Sequence, residues 1–385
     1  RPTSPFSTSF KTNAPVTWVE PKVVVEVSFA EWTGGGHMRQ PILVGVREDK
    51  EPKQVRREMP ADSGIEHGRS KIAGKAVSSP EPQSTNPELR IGRHKLKVTH
   101  LDKVFWPQEG YTKGDAMSYY RQMAPLILPY LKDRPQSLLR HPGGITGKSF
   151  FQKDMDTSQL PPWAKTYPVP SQSENRDIDY LICNDEATLV YMANLGCIEI
   201  NPWNSRTKKP DHPDYLVMDL DPEDIGFEQV IKVAQAVHAV LEQAGAANYC
   251  KTSGATGLHI YVPLGAQYDY EQTKEFAHVI GLLVNQQLPD ITSLERSPAK
   301  RQRRVYLDYL QNRRGQTMAT VYSIRPKLGA TVSTPLHWDE VKPGLAPSDF
   351  TIKNIAKRID QVGDLWQPVL GRGIDLAACL NRLSA

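Results

Sequence analysis

The chain has 385 residues, 39% of them hydrophobic, and a formal net charge of +4 at pH 7. At about 150 residues per domain this length suggests two or three units and is ample for a large core. No apolar run approaches a membrane span, and the mild basic balance selects no partner by itself. Four dispersed cysteines (Cys183, Cys197, Cys250, Cys379) form no Cys-x-x-Cys, which argues against a zinc site or disulfide frame and for a reducing compartment. The start, Arg1-Pro2-Thr3-Ser4-Pro5, carries neither an initiator Met nor an apolar signal segment and reads as a soluble piece of a longer chain.

Residues 16–60 are strand-like. Val23-Val24-Val25-Glu26-Val27-Ser28-Phe29 is β-branched, Trp32-Thr33 and Gly34-Gly35-Gly36 turn it, and Ile42-Leu43-Val44-Gly45-Val46 returns to close on Arg47-Glu48-Asp49-Lys50. Pattern alone gives a hairpin with a charged end. The same residues resemble the C-terminal end of the oligonucleotide-binding barrel (OB-fold) of ATP-dependent DNA ligases, with Arg-x-Asp-Lys similar to their last motif. The resemblance implies that residues 1–60 are a partial β-barrel, since about 45 residues cannot complete one. The Lys-x-Asp-Gly nucleophile of such ligases is absent from the chain, so ligation by this fragment is not expected. Residues 61–88, with Gly64, Gly68, Gly74, Pro80, Pro82 and Pro87 among polar residues, read as a flexible linker.

The second domain is expected over residues 89–385. Thr112 can cap a helix with Met117, Tyr120, Ala124, Ile127 and Leu131 on one side, bent at Pro125 and stopped near Pro135. Lys103 precedes this helix and Lys113 opens it, so each is either a solvated surface cation or a phosphate contact at a helix start. Arg140 then leads into a glycine turn and Ser149-Phe150-Phe151-Gln152-Lys153, a pattern suited to base stacking and phosphate contact. Alternation along a strand predicts one phenylalanine exposed for stacking and the other buried. Residues 156–178, with Pro161, Pro162, Pro168 and Pro170, read as a long polar surface loop. Asp185 caps a helix ending at Gly196, and Cys197-Ile198-Glu199-Ile200-Asn201-Pro202-Trp203 follows as a strand.

Tyr215-Leu216-Val217-Met218-Asp219-Leu220-Asp221-Pro222 carries the clearest chemistry. Alternation puts Asp219 and Asp221 on one face, roughly 6.5 to 7 Å apart at Cα. Two such anions need a cation, a basic partner or a proton between them, and oxygen ligands suit Mg²⁺ or Mn²⁺; an exposed strand end is the plainer alternative. A long amphipathic helix over residues 226–243 follows. In Lys251-Thr252-Ser253-Gly254-Ala255-Thr256-Gly257-Leu258-His259 two glycines permit a tight turn whose N–H groups could approach a phosphate, with Ser253 and His259 as flanking donors. It is not a Walker A loop. Lys300-Arg301-Gln302-Arg303-Arg304 reads as solvated charge, Asp308 lies in the apolar strand that follows, and Tyr322-Ser323-Ile324-Arg325 offers a guanidinium for a polyphosphate.

The ordered set of a carboxylate pair, a Ser-Gly-x-x-Gly-x-His turn about 35 residues on, a third strand Asp and an arginine resembles the archaeo-eukaryotic primase superfamily. Over about residues 89–372 the similarity is closer to the polymerase domain of bacterial ATP-dependent DNA ligase D, the non-homologous end-joining enzyme. Thr99-His100-Leu101-Asp102-Lys103-Val104, Tyr111-Thr112-Lys113-Gly114-Asp115, Phe150-Phe151-Gln152-Lys153, the Asp-x-Asp strand, Lys251-Thr252-Ser253-Gly254 and Tyr322-Ser323-Ile324-Arg325 carry it.

The resemblance implies an α/β (α+β) primase-polymerase fold of mixed or antiparallel sheets flanked by helices. It implies that Asp219, Asp221 and Asp308 hold two Mn²⁺ or Mg²⁺ ions for polymerisation of ribo- or deoxynucleoside triphosphates at gaps and double-strand ends of DNA. Ser253, His259, Arg325, Asn201 and Lys251 then contact the nucleotide, Phe150 or Phe151 stacks on a base, and Lys103 with Lys113 holds a DNA 5′-phosphate. Ku and a ligase module are implied as partners, and a cytoplasmic, nucleoid-associated bacterial setting as the location. Asn201 departs from the His many members carry there, and Asn cannot hold a proton or positive charge. Two other classes stay open. A DNA-end binding module would have structural acids, and an Asp-x-Asp phosphatase normally wants Thr or Val where Glu223 stands.

Overall fold

The computed structural model describes residues 24–28, 42–46, 87–171 and 175–384. The chain separates into two compact units, Arg1–Gln83 and Ser84–Ala385. In the first, strands β1 (Val25–Ser28) and β2 (Ile42–Val46) pair antiparallel, as the two β-branched runs predict. The triple glycine, Arg47-Glu48-Asp49-Lys50 and the linker up to residue 86 lie outside the described residues.

The second unit opens with the hairpin β3 (Glu88–Ile91) and β4 (His94–Lys97), then the short pair β5 (Val104–Trp106) and β6 (Tyr111–Thr112). Thr112 caps helix α1 (Lys113–Leu131) in a capping box with Asp115, which satisfies donors that a helix start otherwise leaves open. Met117, Tyr120, Ala124, Ile127 and Leu131 are all buried on its inner face. Strands β7 (Gln136–Arg140) and β8 (Phe150–Gln152) follow.

Residues 165–182 are a hairpin, β9 (Lys165–Ser171) with β10 (Arg176–Ile182), where the sequence predicts loop as far as residue 178. Pro168 and Pro170 obscured it. They stand opposite Asp179 and Asp177 in a two-stranded ribbon, where an outer edge does not need the N–H that proline lacks. Asp185 caps α2 (Glu186–Asn194), and β11 (Cys197–Pro202) completes an antiparallel three-stranded sheet in the order β11-β7-β8.

A six-stranded sheet organises the rest. Its strands are β12 (Tyr215–Pro222), β13 (Tyr249–Thr252), β14 (Leu258–Pro263), β15 (Thr292–Ser293), β16 (Val305–Asp308) and β17 (Pro335–Leu336), in the order β15-β16-β12-β14-β13-β17. Helices α3 (Phe227–Gln243) and α4 (Tyr270–Gln287) supply the apolar partners of one face, where Leu216, Met218, Leu220, Ile260 and Leu307 are fully buried. Tyr215, Val217 and Tyr261 point the other way, into a core shared with α1 and β11. Strand β12 is therefore buried on both faces and reads as a continuous apolar run. On the second face that run ends at Asp219 and Asp221. Short helices α5 (Pro298–Arg301), α6 (Ile355–Val362) and α7 (Leu376–Ser384) complete the chain. Among the described residues no helix is long and apolar enough to cross a membrane.

Candidate active site

Register assembles the site. Asp219 stands directly opposite Asp308 of β16 on one side and His259 of β14 on the other, and His259 stands opposite Lys251 of β13. Residues directly opposite in a ladder share a face, so four strands present the row Asp308, Asp219, His259, Lys251. Asp221 lies on that face two residues along β12, opposite Tyr306.

The carboxylates sit in different surroundings. The Asp219 side chain is 18% exposed, and its pKa is pushed up to about 8, chiefly by burial and then by Asp308 and Asp221. Burial also raises Asp308, against hydrogen bonds donated by Tyr306 Oη at 3.1 Å, the Leu310 N–H at 2.9 Å and Gln311 Nε2 at 3.2 Å. Asp221 is half-exposed and meets Arg301 Nη1 at 3.3 Å. That buried guanidinium also stacks 4.0 Å from the Tyr306 ring centre and donates to the carbonyls of Glu295 and Arg296. Among the described residues no three His, Cys, Asp or Glu side chains already form a metal cage. The donor set nevertheless fits a hard divalent cation. It is oxygen only, shares one sheet face, and includes a largely buried carboxyl whose ionisation its like-charged neighbours oppose.

The glycine turn differs from its expected use. Ser253 Oγ accepts from the N–H groups of Ala255 and Gly257, each at 3.0 Å, so those two donors hold the turn closed and do not point outward. Gly254 has φ +71°, and a Cβ there would come within 2.9 Å of the Ser333 backbone nitrogen. At Gly257 a Cβ would fall 2.2 Å from the Leu220 carbonyl oxygen, so this glycine lets the turn close against the Asp-x-Asp strand. Arg325 reaches the same turn, donating from Nη1 to the Ser253 carbonyl at 2.6 Å and pairing through Nε with Glu199 Oε2 at 2.8 Å. The guanidinium is thus braced by two protein partners.

Two expected contacts are corrected. Lys251 has no exposed surface; its Nζ is held by Ser333 Oγ, His259 Nδ1 and the Ala319 carbonyl at 2.6, 2.7 and 3.1 Å. An inner strand position places it behind His259, with no surface exposed. Phe150 and Phe151 are 42% and 56% exposed, so neither is buried. They do alternate, but β8 is an edge strand and neither ring lies in a core cluster. Asn201 is buried beside this region, its Nδ2 3.3 Å from the Glu199 carbonyl.

Lys103 and Lys113 come together with Arg140. Lys103 is exposed, whereas Lys113 is buried and donates from Nζ to the Thr99 carbonyl at 2.6 Å. Burial, then Lys103 and Arg140, lowers Lys113 to about 8. Arg140 lies 5.2 Å over the Phe150 ring centre and donates to Gln152 Oε1 at 2.8 Å. Sequence reasoning placed Arg140 in a phosphate-suited pattern but did not single out Arg301, Tyr306 or Glu199. Arg301 was hidden in a run of five basic or amide residues, and Tyr306 shows its role only through strand register.

Comparison with known proteins identifies the family. The family model described as LigD, primase-polymerase domain matches residues 112–366, and the model of the ATP dependent DNA ligase C terminal region matches residues 1–50. The multifunctional non-homologous end joining protein LigD of Pseudomonas aeruginosa is 28% identical over 370 residues, covering 95% of this chain and 42% of that protein. The bifunctional non-homologous end joining protein LigD of Bacillus subtilis is 32% identical over 272 residues, covering 70% and 43%. This chain therefore spans less than half the length of either relative. The polymerase domain of Mycobacterium tuberculosis Ligase D, solved in complex with DNA, superposes with a TM-score of 0.66 at 28% identity, covering 72% of this chain and 99% of that one. The family match spans well over half of the sequence, and this chain belongs to the LigD primase-polymerase domain family.

Proposed function

We propose that this chain is a metal-dependent nucleotidyltransferase that extends DNA 3′ ends with ribo- or deoxynucleotides at gaps and double-strand breaks during end joining. The observation that carries this reading is the row of Asp308, Asp219 and His259 across adjacent strands, with Asp221 on the same face. Bound Mn²⁺ or Mg²⁺, held by Asp219, Asp221 and Asp308, would supply activation of a primer 3′-hydroxyl and neutralisation of triphosphate charge. The protein's own part is positioning. Arg325, braced by Glu199 and the Ser253 carbonyl, offers its remaining N–H groups to a triphosphate. His259 and Ser253 line the same strand ends. Phe150 and Phe151 supply exposed π-faces for unpaired bases, and Lys103, Lys113 and Arg140 attract the 5′-phosphate across a gap. Ku, a ligase module and a nucleoid setting belong to the same reading.

A catalytically silent DNA-end binding module is the second reading, favoured by the Arg301 contact that already engages Asp221. Primer extension on a 5′-phosphorylated gapped duplex with Mn²⁺ separates the two. The parent chain should extend with either triphosphate class and Asp219→Ala should not. A folded parent that binds the gap without extending it would leave the binding module as the function.

A further inference from the structure

Lys251 is fully buried behind His259, and that position gives it another role. We propose that Lys251 is a positioning residue, which fixes the tautomer and ring plane of His259 from behind and through it the orientation of Asp219. This rests on the reading of Asp219 as a metal-binding carboxylate.

The hydrogen-bond assignment follows from its partners. Ser333 Oγ lies 2.8 Å from the Thr252 carbonyl, which can only accept, so the Ser333 proton goes there and its oxygen accepts from Lys251. The Ala319 carbonyl also only accepts, which places a second Nζ proton. The third Nζ direction meets His259 Nδ1 at 2.7 Å. An Asp219 bound to a metal is a carboxylate, which only accepts. Nε2, 3.4 Å from Asp219 Oδ1, then carries the ring proton, and Nδ1 accepts from Lys251. Residues from β13, β14 and the segments around Ala319 and Ser333 all converge on one amine, so its position tolerates little movement. An outer partner that sets a first ligand's orientation typically changes metal affinity or activity about 10–100-fold when removed.

The test uses the full chain with Lys251→Met, which keeps length and loses all donors, Lys251→Gln, which keeps one donor, and Ser333→Ala, which removes one acceptor. Long-range ¹H–¹⁵N spectra of ¹⁵N-histidine-labelled protein in saturating Mg²⁺ report the His259 tautomer, and electron paramagnetic resonance of free Mn²⁺ reports metal affinity. The parent should show a single Nε2–H tautomer. Lys251→Met should lose it and bind Mn²⁺ about 10–100-fold more weakly, with kcat reduced and the nucleotide KM within about twofold. Lys251→Gln should restore part of both signals, and Ser333→Ala should show a smaller loss, so the idea remains testable if Lys251→Met does not fold. An Nδ1–H tautomer in the parent, or folded Lys251→Met with unchanged tautomer and Mn²⁺ affinity, would overturn the proposal while leaving the polymerase reading in place. Mn²⁺ affinity unchanged by Asp219→Ala would instead remove the metal-binding reading and this proposal with it.

Discussion

Asp219 and Lys113 are brought to nearly the same pKa from opposite sides. One is raised from 3.8 to about 8 and the other lowered from 10.5 to about 8, each mainly by burial and then by like-charged neighbours. The acidic row crowds Asp219 with Asp308 and Asp221; the basic cluster crowds Lys113 with Lys103 and Arg140. Like charge held together away from water is unfavourable until a counter-charge arrives, so each region is prepared for one. A divalent cation suits the first and a phosphate the second. They differ in support. The row is fixed by the register of inner strands, whereas the cluster stands at a helix start and the end of β7, beside two exposed rings on the edge strand β8.

The sharpest way to break the symmetry is to delete the acidic centre alone. Asp219→Ala should lower primer extension by about 10³-fold or more, a loss of the scale seen when charge stabilisation in a transition state is removed. Binding to a gapped duplex should stay within about twofold by fluorescence anisotropy, because the basic cluster is intact. If binding and extension fall together, the two regions are not separable.

The dependence of the row on close packing can be tested without touching a charge. Gly257→Ala would force a Cβ toward the Leu220 carbonyl, and should cost about 2–3 kcal/mol in urea unfolding. Gly226→Ala, with nothing within 4 Å of the new Cβ, should change stability by about 0.5 kcal/mol or less. Equal effects would mean that the turn accommodates the Asp-x-Asp strand loosely.

The two regions should also respond oppositely to pH. Below about 8 Asp219 carries a proton that a metal must displace, so Mn²⁺ affinity should rise by up to about tenfold per pH unit and level off above 8. Lys113 loses its charge as pH rises through about 8, so the preference for a 5′-phosphorylated end should be strong at pH 7 and fade toward pH 9. Lys113→Met should abolish that fading and reduce the salt dependence of DNA binding by about one counterion. Titrations at three pH values, with and without the 5′-phosphate, measure both trends. Parallel slopes for the two ligands would contradict the assignment.

The sequence showed most of the row and little of what surrounds it. Asp219 and Asp221 were legible because an apolar run with period two ends on them, and the helices capped by Thr112 and Asp185 announced themselves through local hydrogen bonding. Asp308 was legible as a carboxylate in an apolar strand, but its place opposite Asp219 is a fact of strand pairing, which is non-local. Lys251 failed for the same reason. It lies beside a phosphate-suited turn in sequence, yet strand pairing directs it at His259. Arg301 looked like its neighbours in a charged run because nothing local distinguishes a buried guanidinium from a solvated one. The hairpin of β9 and β10 was hidden because prolines oppose strands in general but not at unpaired edges.

The smallest expected effect lies on the basic side, between two adjacent rings. Both phenylalanines are exposed, but Arg140 sits over Phe150, while no cation lies over Phe151 among the described residues. A ring already covered by a guanidinium must give up that contact before a base can stack on the same face, whereas an open ring gives up only water. Phe151→Ala should therefore weaken binding to a gapped duplex by about 1 kcal/mol, the low end for one stacked base. Phe150→Ala should cost less on an unphosphorylated gap. On a 5′-phosphorylated gap the order should narrow, because removing the Phe150 ring also loosens Arg140 within the basic cluster. Anisotropy titrations of both variants on both duplexes give the four values needed. A larger loss for Phe150→Ala on the unphosphorylated gap would assign the stacking surface to Phe150 and make its contact with Arg140 part of base recognition.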